Sequence, residues 1–251
     1  MHLMRYTINQ FNNINHMLLK LILFSGFAGV TVFIGGLLAN YFNHHVKDSP
    51  VKYEITHTMM SFGAGIILAA VALVLIPYGM EHLSIIPMTI SFVIGAIGFM
   101  FLDQYLEKKG GQTATLLAML MDFVPESIAL GAVFAVDEKM ATLLAIIIGL
   151  QNLPEAFNSF RDLVLSGFTI KKTLIIFFFL SFFGIVGALL GHFFLTESTT
   201  LTAHLMTFAS GGILYLLVRD IIPSSKLDKN YLTSLGATAG FLVGIIGDKI
   251  V

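Results

Sequence analysis

The sequence predicts an all-α membrane protein with eight transmembrane helices, and three observations lead there. Of 251 residues, 56% are hydrophobic and only 12% charged, and the mean hydropathy is +0.87, outside the range of soluble globular domains. Apolar runs of the roughly 20 residues that cross a bilayer recur along the whole chain. The Lys and Arg residues gather in alternate loops, as in multi-pass membrane proteins.

The spans are read at 17–42, 56–80, 84–104, 113–135, 139–165, 171–195, 199–222 and 230–250. The first follows Asn12-Asn13-Ile14-Asn15-His16, runs too long for a secretory signal and lacks a small-residue cleavage site, so it is read as retained. Most breaks are short polar clusters such as Glu81-His82, Glu107 to Gly111, Asp137-Glu138-Lys139 and Thr196-Glu197-Ser198. Short links make successive helices antiparallel neighbours and leave no room for a soluble domain, so residues 1–251 read as one transmembrane domain. The odd-numbered loops carry Lys47, Lys52, Lys108, Lys109, Arg161, Lys171, Lys172, Arg219, Lys226 and Lys229; elsewhere stand only Arg5, Lys20, Lys139 and Lys249. Ten against four places the odd loops in the cytoplasm of a cell membrane and both termini outside, which requires an even number of spans. The net charge of −1 points to no nucleic-acid partner, so membrane lipid is the expected surrounding; the absence of cysteine excludes thiolate metal sites and disulfides.

Spans four and five each hold a Pro-Glu pair deep in apolar sequence, in Met121-Asp122-Phe123-Val124-Pro125-Glu126 and Gln151-Asn152-Leu153-Pro154-Glu155. A carboxylate there costs about 2.5–3.5 kcal/mol on insertion scales. A proline in a helix also frees the carbonyl one turn earlier, here those of Met121 and Leu150. Asp122 and Glu126 are four apart and share a helix face, as do Gln151 and Glu155. If the faces meet, three carboxylates and an amide converge where water is excluded, a setting that attracts a multivalent cation or protons. The alternative is a structural network of half-protonated acids and amides.

An internal repeat surrounds these spans. Phe62-Gly63-Ala64-Gly65-Ile66-Ile67-Leu68, ending in Ile76-Pro77, matches Phe208-Ala209-Ser210-Gly211-Gly212-Ile213-Leu214, ending in Ile222-Pro223, at a constant offset of 146 residues. The second span runs outward and the seventh inward, so the repeat is inverted, relating spans 1–3 to spans 6–8 around the central pair.

On these residues the chain resembles the ZIP (Zrt/Irt-like) family of divalent-metal transporters. The likeness runs from about Phe62 to Pro223, through both glycine signatures and both Pro-Glu pairs. It implies a 3+2+3 helix arrangement, a transporter domain with no enzymatic activity, and a metal site between spans four and five. It leaves a homodimer open. The substrate it implies is a divalent ion, Zn²⁺, Fe²⁺ or Mn²⁺, with no organic cofactor. The departures bear on selectivity. Asp122 stands where the family usually has histidine, and Phe123 where it has asparagine; Ala156 replaces a glycine. Gly184 precedes Gly187-Ala188 where an acid of a second metal site is common, and Arg219-Asp220 ends span seven in place of a histidine or acidic pair.

The candidate metal ligands are Asp122, Glu126, Gln151 and Glu155, all oxygen donors. Such a set suits harder ions, whereas imidazole favours Zn²⁺. The second metal site reads as lost. Gln151, Glu155, Asn158 and Asp162 follow at helical spacing and sketch a polar path toward the cytoplasm. Arg219 and Asp220 stand at its inner end, where Arg219 either snorkels to the interface or pairs with Asp162 as a gate. Interface histidines (His44, His45, His57, His82, His192, His204) read as incidental. Met59, Met60, Met119 and Met121 read as lipid-facing or packing residues, with one or two lining the pore. No His-Glu-x-x-His supports a metalloprotease. A non-transporting metal-binding or sensor homologue remains the alternative to a transporter.

Overall fold

The computed structural model describes residues 2–228 and 230–250; Lys229, one of the ten loop cations, and the Arg5 side chain lie outside the description. Regular structure among the described residues is entirely helical. Eight helices are long and apolar enough to cross a membrane: α1 (Asn15–His45, continuing a helix from His2), α2 (Pro50–His82), α3 (Ile85–Lys109), α4 (Gly111–Phe134), α5 (Glu138–Leu165), α6 (Ile170–Leu195), α7 (Thr199–Ser225) and α8 (Tyr231–Ile250). They match the spans read from sequence to within a few residues. The largest difference is the start of α2 at Pro50, where Ser49 accepts the Lys52 N–H and the proline occupies the first turn. Asp137, Thr169 and Ser198 cap α5, α6 and α7 in the same way. Gly110 and Gly111, both at positive φ, make the abrupt turn from α3 to α4.

Three helices depart from a plain α-helix. In α2, Val71–Leu75 forms a π-turn just before Ile76-Pro77, and in α7, Leu217–Ile221 does so before Ile222-Pro223. A proline ring clashes with the carbonyl four residues back, and a wider turn relieves the clash. α6 is interrupted at Ser181-Phe182, between Ile170–Leu180 and Phe183–Leu195. The α1 backbone closes on that break at Gly29, where a Cβ would lie 2.0 Å from the Ser181 carbonyl oxygen.

Lipid tails are as apolar as leucine, so helices in a bilayer associate through close packing rather than hydrophobic drive. The tightest pairs are α2 with α8, α3 with α7, α4 with α6, and α1 with α5. The first three share one device, a glycine on each helix against a carbonyl of the other. Gly65 faces the Ala237 carbonyl and Gly240 that of Phe62; Gly95 faces Phe208 and Gly211 faces Phe92; Gly131 faces Ala188 and Gly191 faces Ile128. At each a Cβ would lie about 2 Å from that oxygen. α2, α4, α5 and α7 form the interior. The apolar stretch of α5 is 67% buried against 11% for α3, so α3 lines the periphery and α5 the centre. Several hydroxyls within the spans bond back to their own helix, as Ser25 does to Leu21 and Ser127 to Phe123.

Candidate functional site

Pro125 and Pro154 lie inside continuous helices, and the acids beside them point into the α4–α5 interface. Asp122, Glu126 and Gln151 are buried and Glu155 half-buried. Gln151 Nε2 donates to Glu126 Oε2 at 2.5 Å. The Asp122 and Glu155 carboxyl groups come within hydrogen-bonding reach of each other, and Asp122 Oδ1 also accepts the Phe123 N–H at 2.8 Å. Carboxylates facing each other in a low-dielectric setting repel strongly unless positive charge is shared between them. Glu126 Oε1 and Gln151 Oε1 have no hydrogen-bond partner although both are buried. The four residues thus meet, as two pairs. Among the described residues no three His, Asp or Glu side chains are close enough to hold a metal ion together in this conformation.

A cavity of about 430 Å³ reaches these residues from the end of the molecule that carries the Lys-rich loops, here called the basic end. Asp122, Gln151 and Glu155 line its floor; Asn158, Ser159, Asp162, Asp220 and Arg219 line its walls. Exposure rises along α5 from buried Gln151 through half-buried Glu155 and Asn158 to exposed Asp162. The four path residues read from the sequence therefore share one opening. Asn158 Nδ2 donates to Asp162 Oδ2 at 3.2 Å, one helical turn on. Of the two readings for Arg219, its pairing with Asp162 is not seen in this conformation: Arg219 reaches Glu107 of α3 at 3.6 Å, because α7 packs on α3. Asp103 and Glu107, which sequence reasoning passed over, complete the mouth, and Asp103 accepts the Tyr215 hydroxyl at 3.0 Å. The signal was present, since Asp103 lies within an apolar span and stands four residues before Glu107.

Met60, Met119 and Met121 line the cavity, which makes the pore-lining share of the methionines larger than read. The ring nitrogens of His45, His57 and His82 bond carbonyls one turn back, and His204 bonds Ser91. Asn152 is occupied structurally, donating to the Ala28 carbonyl of α1 at 3.0 Å. Phe123 is buried against Gly184, where a Cβ would lie 2.9 Å from the ring. The aromatic ring and the missing side chain on α6 thus fit each other and leave an apolar wall beside the acids.

Among the described residues, eight helices long and apolar enough to cross a membrane around a one-sided acidic cavity define a multi-pass membrane protein. The family model described as ZIP Zinc transporter matches residues 112–247, just over half of the chain and all of its spans from α4 to α8. The chain belongs to the ZIP family, and membership implies transport of a divalent metal ion. No significant match is found among curated proteins.

Proposed function

We propose that the protein carries Zn²⁺, Fe²⁺ or Mn²⁺ across the cell membrane through a site formed by Asp122, Glu126, Gln151 and Glu155. The observation that carries this reading is the cavity, which ends on carboxylates in the middle of a bilayer-spanning bundle. An all-oxygen donor set places Mn²⁺ and Fe²⁺ beside Zn²⁺ as substrates. Phe123 and Gly184 limit the site to a single ion. In this reading the basic end faces the cytoplasm, so the conformation is open inward. The ion leaves past Asn158, Asp162 and Asp220.

The inverted repeat belongs to the same proposal. Val71 and Leu217 stand 146 residues apart, as do Leu75 and Ile221, so both π-turns fall at the offset of the sequence match. Exchanging α1 with α6, α2 with α7, α3 with α8 and α4 with α5 turns the α2–α8 pair into α7–α3 and the α1–α5 pair into α6–α4. That exchange supports a 3+2+3 arrangement. The competing reading is a metal-binding homologue that does not transport.

Uptake into proteoliposomes with a panel of Zn²⁺, Fe²⁺ and Mn²⁺ decides between them. Wild type should accumulate at least one of these ions and Glu155→Ala should fall to background while still inserting in the membrane. Binding without accumulation would establish the sensor. Orientation is read in the same cysteine-free background: in intact cells Glu197→Cys should react with an impermeant thiol reagent and Lys226→Cys should not.

A further inference from the structure

Resting on the site proposed above, we infer that Gln151 is a positioning residue that holds Glu126 out of the open cavity, so that an ion leaving on this side is not recaptured. An amide offers one acceptor oxygen and one donor nitrogen. A metal ion takes the oxygen; an ionised carboxylate takes the N–H. Here the nitrogen serves Glu126, and the reverse amide orientation would set two oxygens against each other. The cavity touches Asp122, Gln151 and Glu155 but not Glu126, which is fully buried behind the amide. An ion in the cavity therefore meets two carboxylates instead of three, and its hold weakens accordingly.

The unused atoms indicate the other position of the latch. Glu126 Oε1 and Gln151 Oε1 are both buried and both lack a partner. Buried polar atoms left without partners are costly, so one on each of two hydrogen-bonded residues points to a second arrangement that these side chains can adopt. Rotation of the Gln151 side chain would release Glu126 and present Gln151 Oε1 in one movement. A single residue then adds two oxygen donors to the two carboxylates already facing the cavity. Gln151 thus both supplies a ligand and governs access to another.

The two roles predict opposite kinetics for Gln151→Leu in the full-length protein, with Mn²⁺ as the probe. As a latch, its loss leaves Glu126 free to keep the ion. Whatever the loss of the amide ligand does to KM, release of Mn²⁺ at the basic end should slow about tenfold, the scale of one hydrogen bond to a carboxylate. A release rate at or above that of wild type would mean that Gln151 is only a ligand and would overturn the inference. Glu155→Ala, run in parallel, isolates the underlying reading: wild-type uptake by that variant removes the site itself, whatever Gln151→Leu does. If Gln151→Leu does not reach the membrane, cysteine accessibility gives a second test. From the cavity side a small thiol reagent should modify Glu155→Cys and spare Glu126→Cys, and equal reactivity at the two positions overturns the latch.

Discussion

Downstream of Glu126, α4 presents Ala129, Leu130 and Val133; at the same steps downstream of Glu155, α5 presents Asn158, Ser159 and Asp162. Ala129, Leu130 and Val133 are all 0% exposed, packed in the core, whereas the α5 residues line the cavity. The π-turns repeat the contrast. Asp220 borders the cavity, while its counterpart 146 residues earlier, Val74, is buried. In the proposed site the two Pro-Glu motifs supply matching halves, and the next two turns of each helix decide which half opens to the cavity.

The largest effect should come from making the dry half resemble the wet one. Val133→Asn puts an amide among apolar side chains and should destabilise the purified protein by roughly 1–3 kcal/mol. The mirror change, Asp162→Val, acts at an exposed position and should stay within about 0.5 kcal/mol. Thermal unfolding in detergent compares the two, and equal losses would mean that the halves are alike after all. A smaller effect is expected at the floor. Asp122→His introduces imidazole into an all-oxygen set and should shift competition between Zn²⁺ and Mn²⁺ toward Zn²⁺ by about tenfold. Unshifted competition would remove Asp122 from the ligands. The smallest effect belongs to the mouth. An exposed ion pair is worth about 0.2–1 kcal/mol, so Arg219→Ala should speed Mn²⁺ release by no more than about fivefold. Glu107→Gln should do the same and Asp162→Asn should not; the opposite pattern would restore Asp162 as the partner.

Much of this was legible in the residues because the membrane simplifies the code. Runs of apolar residues fix roughly where helices start and stop, although the Ser49 cap that begins α2 at Pro50 went unread, and acids such as Glu126 and Glu155 are conspicuous in a medium that penalises them. The four-residue spacing put Asp122 with Glu126 and Gln151 with Glu155 on shared faces, and the structure brings those faces together. What escaped was set between helices. Arg219 chooses Glu107 because α7 lies on α3, a neighbour no local pattern names. The break at Ser181-Phe182 answers to Gly29 of α1, and Asp103 joins the cavity only because α3 leans against its mouth. The direction of the Gln151 amide depends on Glu126, 25 residues away on another helix.

The one-sided cavity also has an electrical consequence. On the proposed function water enters the basic half and carries the potential of that compartment down to Asp122 and Glu155, so little voltage falls along that path. Nearly the whole transmembrane field is compressed across the dry half, between Glu126 and the far ends of α4 and α7. A divalent ion crossing that short distance exchanges about 4.6 kcal/mol with the field for every 100 mV, at roughly 2.3 kcal/mol per charge. The same ion moving through the cavity exchanges almost nothing. On the proposed function Ala129, Leu130 and Val133 act as the insulator, and the step past them is the one a membrane voltage drives.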